Sequence, residues 1–334
     1  MNKINSLKNK LGQSLIIVIA LIFLVLLFYI LNPNFLNKFN ILSMAQSLAP
    51  YAVLGLGVTF VIATGGIDLS IGTVCIASAV VAGKLYTDGL IPLWLTIPVM
   101  ILIGTLFGVI NGLLVAMCKL PAFIATLGTM MVSRGLSAII VNVPNVFYPT
   151  GTWFNNLFSN YNGFPVGFLW VLFFMLICMY LMYKNKIGRY ILAIGSNEEA
   201  TRLSGINTDK YKIYAYVITG FFAGVAGVLW SASFVTVASA TGNGMELDAI
   251  AGVYIGGTSA TGGVASVGGS VIGALMLVVI RSGLNFVLSL LNISVNSTYV
   301  TYVLTGVIVV ASVLIDVLKV KGNNKIKKNK LKGS

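Results

Sequence analysis

The sequence predicts an all-α, polytopic membrane protein of about ten transmembrane helices, and three observations lead there. Hydrophobic residues fill 57% of the 334 positions, charged residues only 9%, and the mean hydropathy is +0.96. A soluble domain carries about a quarter charged residues, so the solvent for most of this chain is lipid. The apolar residues arrive in separate runs, several near the roughly 20 residues that cross a bilayer. The basic residues gather at a few places between and beyond those runs.

In chain order the expected spans fall at about 14–31, 49–63, 71–83, 93–114 and 123–141, then 167–183, 213–234, 247–257, 267–288 and 299–318. The first run is too long for the apolar part of a signal peptide, and Asn32-Pro33-Asn34 follows where small cleavage-site residues would stand. It reads as an uncleaved helix after a short N-terminal segment, residues 1–13. With that segment inside and ten spans, the 184–212 stretch, Lys119 and the tail 319–334 share the cytoplasmic face. Seventeen of the 21 basic residues then face inward, Lys38 and Lys84 face out, and Arg134 and Arg281 lie within spans. Basic loops facing an anionic inner leaflet are the rule for bilayer proteins. An odd number of helices would put one of the two lysine-rich ends outside.

The net charge of +13 is therefore a sign of membrane lipid rather than of nucleic acid, which would want basic residues interleaved with exposed aromatics. Cys75, Cys118 and Cys178 each sit in or beside an apolar run without metal-ligand spacing, so they read as small buried hydrophobes. With no histidine in the chain, no metal site and no catalytic residue are expected.

Glycine carries the packing signal. Gly104, Gly108 and Gly112 recur at every fourth position, as do Gly220 and Gly224, Gly252 and Gly256, and Gly269 and Gly273. Small residues at this spacing let helix backbones approach closely in lipid. Two glycine-rich interruptions break the apolar pattern: Thr64-Gly65-Gly66-Ile67-Asp68-Leu69-Ser70, and Gly256-Gly257-Thr258-Ser259-Ala260-Thr261-Gly262-Gly263. Two readings stand. Gly65, Gly66, Asp68, Ser70, Gly256, Gly257, Thr258 and Ser259 line a pathway or gate where short, broken helices unwind, or they form two tight cytoplasmic turns with glycine at positive φ. Asp68 is expected to cap the helix that begins near Leu69. Arg134 falls near mid-bilayer, where it needs an ion pair, carbonyl partners or a functional role; Arg281 is expected to snorkel outward.

Between the sixth and seventh spans, Ser196 followed by Glu199 predicts a capping box, and Gly205 suits the position just past the helix end. The product is a polar helix of about two turns containing Glu198, Glu199, Ala200 and Arg202. It is either a docking knob for a soluble partner or a linker resting on lipid. No G-x-x-x-x-G-K-S/T loop is present, since Gly83-Lys84 lacks the other residues. Any nucleotide chemistry must belong to another chain.

Several of these motifs, in order, resemble the ribose-type permeases of ATP-binding cassette (ABC) importers. The stretch 65–72 does so, as do Glu246 through Ser259, Gly262-Gly263 and Arg281-Ser282-Gly283-Leu284-Asn285. Phe123-Ile124-Ala125-Thr126-Leu127-Gly128-Thr129 with Arg134-Gly135-Leu136 is similar too. Glu199-Ala200-Thr201 and Gly205 resemble the E-A-A-x-x-x-G coupling motif, with Thr201 in place of its second alanine. The resemblance runs from about residue 40 to 318. It implies a single permease domain in a bacterial cytoplasmic membrane, both termini cytoplasmic, that carries a monosaccharide or related small polar solute. It further implies an ABC-type ATPase holding ATP and Mg, an extracytoplasmic sugar-binding protein and a second permease copy. The competing reading is an ion-coupled secondary transporter. Such a protein would place a carboxylate or histidine within a span to carry the proton, whereas Asp68, Glu246, Asp248 and Asp316 all fall toward span ends.

Overall fold

The structure, a computed structural model, describes residues 2–142, 145–291, 299–300, 302–307, 310–311 and 313–314. The expected span 299–318 falls partly outside these residues, and the tail 319–334 wholly so.

Helix α1 (Asn2–Leu31) stops at Asn32-Pro33, where the Asn32 side chain accepts from Asn34 N at 3.0 Å. Asn37 then caps α2 (Lys38–Ala63) by accepting from Asn40 N at 2.8 Å. Helix α2 begins eleven residues before the expected span, because Asn40, Ser43, Gln46 and Ser47 interrupt the apolar run without breaking the helix. Every residue from Leu48 to Ala63 except Tyr51 is buried, which makes α2 the central pillar. There follow α3 (Ile71–Thr87), α4 (Thr96–Ala116) and α5 (Ala122–Val141). Strand β1 (Asn145–Phe147) and the short α6 (Trp153–Phe158) lead to α7 (Val166–Tyr183).

Two helices then occupy the polar stretch, α8 (Lys186–Ser196) and α9 (Glu198–Leu203). Helix α10 (Thr208–Phe234) returns through the core and ends at β2 (Thr236–Ala238), which pairs antiparallel with β1. Helices α11 (Met245–Ile255) and α12 (Val267–Leu290) complete the bundle.

Among the described residues, six helical segments are long and apolar enough to cross a membrane: α2, α4 with the turn before it, α5, α7, α10 and α12. Ile17–Leu31 of α1 and the whole of α3 are apolar but shorter. At 1.5 Å per residue α11 spans only about 17 Å of a ~30 Å hydrocarbon layer. It survives there because protein rather than lipid surrounds it: eight of its eleven residues are buried. The chain is thus a mainly helical, multi-pass bundle with short helices packed inside it.

The glycine spacing meets its partners. A Cβ on Gly108 would stand 2.5 Å from Tyr216 O, one on Gly104 would strike Gly220 O, and one on Gly112 would come within 3.0 Å of Ile213 Cα. Gly104 meets Gly224 and Gly220, Gly108 meets Gly220 and Tyr216, and Gly112 meets Ile213, so the two helices run antiparallel along a backbone-to-backbone seam. Gly252 against Gly273 and Gly256 against Gly269 make the same seam between α11 and α12. Cys75 and Cys178 are buried, but Cys118 is exposed just past the end of α4, against expectation.

Candidate functional site

The two glycine-rich interruptions meet at one end of the bundle, and the end of α8 lies on them. After α2, Thr64 folds its hydroxyl onto Val61 O at 2.7 Å and Gly65 turns at φ +82°. After α11, Gly257, Gly262 and Gly263 adopt φ values of +90°, +82° and +78°. Gly263 N donates to Ala63 O at 3.0 Å, a direct bond between the two turns. Gly195, one residue from the end of α8, touches both partners of that bond, since a Cβ there would overlap Ala63 O and Gly263 N. Ser196 crowds Gly263 in the same way. The two interruptions thus form turns in contact with each other, at the end of the bundle that carries α8 and α9.

Their side chains hold the turns together. Asp68 Oδ1 accepts from Ser70 N at 2.9 Å and Ser70 Oγ at 2.7 Å. Ser70 Oγ in turn accepts from Asn111 Nδ2 at 2.8 Å, and Asn111 Oδ1 accepts from Thr129 Oγ1 at 2.6 Å. All four residues are buried, so this relay ties the first turn to α4 and α5. Asp68 does not sit at the helix N-cap: Ser70 occupies that position and α3 starts at Ile71. Tyr216 Oη closes the turn from α10 by donating to Ile67 O at 3.2 Å. In the second turn Thr258 Oγ1 accepts from Ser266 N at 3.0 Å. Tyr183 Oη donates to Ala265 O and accepts from Val267 N, at 3.0 and 3.2 Å. Free N–H groups at the start of α12 are thereby satisfied. Thr258 and Ser259 are buried ties of the loop.

The capping box expected of Ser196 and Glu199 does not form. Ser196 belongs to α8 and donates to Leu192 O at 2.9 Å. Asn197 is the N-cap of α9, accepting from Ala200 N at 2.9 Å, and Glu199 instead pairs with Arg202. Ser and Asn are both strong caps; the chain uses the second, shifting the start by one residue. Helix α9 is correspondingly short at six residues. Gly205 fulfils expectation with φ +81°, its N–H bonded to Arg202 O at 3.0 Å. Glu198 reaches Lys212 of α10 at 2.6 Å, and Lys119 reaches Asp209 at 2.5 Å, so Lys119 does share an end with the 184–212 stretch. Glu199, Arg202 and Leu203 point outward, Leu203 being 79% exposed.

Arg281 does not snorkel. Its Nη1 donates to Tyr51 Oη at 2.7 Å and its Nη2 pairs with Asp248, whose other oxygen accepts from Thr305 Oγ1 at 3.2 Å. Arg134 is half-buried and takes part in none of the five ion pairs among the described residues; its buried Nε has no partner among them. No group of three or more His, Cys, Asp or Glu side chains among the described residues is arranged to hold a metal ion. Asn111, Thr129, Tyr183, Tyr216 and Gly195 were missed from sequence. A lone amide inside an apolar span is the signal that marks Asn111.

Against known proteins, the description "Branched-chain amino acid transport system / permease component" matches residues 40–313. The ribose import permease protein RbsC of Haemophilus influenzae is 37% identical over 303 residues, 89% of this chain and 91% of the relative. The ribose import permease protein RbsC of Bacillus subtilis is 36% identical over 319 residues, 92% of each. The D-allose transport system permease protein AlsC of Escherichia coli K12 is 33% identical over 294 residues, 88% of each. No solved structure matches the chain.

Proposed function

The chain belongs to the family of branched-chain amino acid transport system permease components, and from that premise we propose that it is the membrane-spanning permease subunit of an ABC importer for monosaccharides. Relatives named for ribose and D-allose, each aligned over about nine-tenths of both chains, support the sugar. The observation that carries the mechanism is Gly195 resting on the Gly263–Ala63 bond. A partner that moves α9 moves α8 with it, and at Gly195 no side chain stands between α8 and the two turns to absorb the displacement. The push passes directly to the backbone of both turns, and from there to α2, α3, α11 and α12.

In this reading the solvent-facing Glu199, Arg202 and Leu203 dock in an ATPase made of a separate chain, which holds ATP and Mg. An extracytoplasmic binding protein delivers the sugar to the opposite face. The permease works as a pair of copies in the plasma membrane, with ten passes, both termini inside and the basic ends against anionic lipid. Residues 65–70 and 256–259 act as the gate that the coupling loop works.

Cysteine at position 203 tests the docking. In a Cys118→Ala background, which removes the exposed native thiol, crosslinking of Leu203→Cys to the co-expressed ATPase, with labelling by an impermeant thiol reagent only in inverted vesicles, is the expected result. Labelling from the outside of intact cells would invert the topology and remove the ATPase from α9.

A further inference from the structure

Helix α7 supplies a ruler for depth in the bilayer. Its 18 residues span about 27 Å of a ~30 Å hydrocarbon layer. Only four of them are buried in the bundle, so most of the helix faces lipid. Lys184 follows at the end that leads into α8, which leaves Val166 at the opposite boundary. Helix α6 packs beside that boundary rather than above it. Trp170, about 6 Å inside Val166 along the helix, donates from Nε1 to Leu157 O at 2.8 Å. The same indole stacks on Phe158, with 5.3 Å between centroids at 26°. Gly167 N donates to Ser159 O at 3.0 Å. The last turn of α6 therefore lies at the depth of the first turn of α7.

The outer face of this segment is apolar and largely uncovered. Trp153 and Leu157, four positions apart and so on one side of α6, are each 46% exposed. Tyr161 and Phe164, bonded to each other across a tight turn, are 54% and 53% exposed. This face continues into lipid-facing surface, because Trp170 meets Phe173 of α7 edge-on at 5.8 Å and Phe173 is itself exposed.

Charge separates a headgroup site from a watery one. No charged residue stands between Arg134 and Lys184, whereas 184–212 at the other end of the bundle carries six basic and three acidic residues. Amides and amphipathic rings without charge are the composition of the membrane–water boundary, where one side of a ring is apolar and the other wet. Lys38 stands beside the turn, its Nζ 3.9 Å from a Cβ placed on Gly163. It enters none of the five ion pairs among the described residues, so its charge suits a lipid phosphate.

We propose that α6 and the turn 161–164 lie in the headgroup layer of the leaflet opposite α8 and α9, with phospholipid covering Trp153, Leu157, Tyr161 and Phe164. The segment is an anchor that sets depth. It holds α7 through Trp170. It holds α10 because Asn155 Nδ2 donates to Ala232 O at 3.0 Å, one of the carbonyls left free at that helix end. Two transmembrane helices are thus tied to the plane of one leaflet, while their opposite ends adjoin α8 and α9.

The test uses the full permease, assembled with its ATPase in vesicles of phosphatidylethanolamine and phosphatidylglycerol. In a Cys118→Ala background, spin labels on Trp153→Cys and Leu157→Cys are measured by power saturation against oxygen, which collects in lipid, and a water-soluble nickel chelate. Labels on Phe173→Cys and Leu203→Cys give the lipid and aqueous references. Co-purification with the ATPase reports assembly, and Tyr161→Cys, on the turn, carries the test if a label on α6 prevents it. The labels should lie about 5–10 Å into the headgroup and acyl boundary, the depth of an interfacial helix, and adding the binding protein should not move them. Nickel exposure equal to that of Leu203→Cys would overturn the proposal. Nickel exposure that the binding protein abolishes would also overturn it, making the face a protein-docking surface. Shielding from both oxygen and nickel would overturn it in favour of a second permease copy.

Discussion

Gly195→Ala tests the transmission of motion most directly. The added Cβ would overlap two backbone atoms, Ala63 O and Gly263 N, and would stand 3.1 Å from Ala63 C. For the overlapped pair this falls more than about 1 Å short of the roughly 3.5 Å at which such atoms attract. Neither atom can rotate away, because each is held by the 3.0 Å bond they share. The end of α8 must retreat, or the bond between the turns must open. Overpacking of this kind costs about 1–3 kcal/mol and a lost hydrogen bond about 1 kcal/mol. Shifting a two-state element by 1–3 kcal/mol changes coupling by about 5–150-fold. The assay is sugar imported per ATP hydrolysed in proteoliposomes containing the full transporter. The expected outcome is continued hydrolysis with import per ATP reduced at least about fivefold, in protein of normal abundance and normal association with its ATPase. A wild-type ratio would show that α8 transmits nothing to the turns.

Three further outcomes are expected. Gly205→Val strains a left-handed residue by about 1 kcal/mol or more, while a Cβ there meets nothing within 4 Å; uptake should fall with normal surface abundance, whereas Gly205→Asn should retain it, and equal behaviour of the two would discount the backbone argument. Asn197→Ala removes the cap of α9 at a cost of about 1 kcal/mol, but Glu199→Ala removes only an exposed ion pair of small worth; hydrogen exchange across 198–203 should therefore speed up in the first and barely change in the second, and the reverse order would restore Ser196 and Glu199 as the cap. Gly104→Val should prevent α4 from seating against Gly220, lowering the amount of folded protein in detergent, and wild-type yield would mean that the seam opens without penalty.

Legibility from sequence followed the range of the signal. Apolar runs are local, so α5, α7, α10 and α12 coincide with the expected stretches to within a few residues. The glycine spacing disclosed which faces pack closely, though not which face meets which. Helix α8 escaped notice because it is amphipathic rather than apolar, with Gly188, Ile191 and Ile194 buried and Lys186, Arg189 and Ser196 exposed. The cap of α9 was misread because Ser196 and Asn197 are adjacent and chemically equivalent candidates; only the hydrogen bond to Ala200 N decides between them. The relay from Thr129 through Asn111 and Ser70 to Asp68 joins residues 18 and 41 positions apart. Arg281 finds Tyr51 across 230. Pairings at such separations depend on the order in which helices pack, and no local pattern encodes them.

The seam between α4 and α10 has a bearing on biosynthesis. Helix α4 ends at Ala116 and α10 begins at Thr208, so the ribosome makes 91 further residues between them. At typical elongation rates this is roughly 5–18 s. Through that interval α4 presents to lipid a bare backbone groove at Gly104 and Gly108, with no side chain to cover it. Insertion of α10 must expel whatever acyl chains have settled there, and it does so with a face of equal shape. The nascent permease is thus most vulnerable to membrane quality control before its tenth helix arrives, and substitutions in either half of the seam act on how much protein survives synthesis.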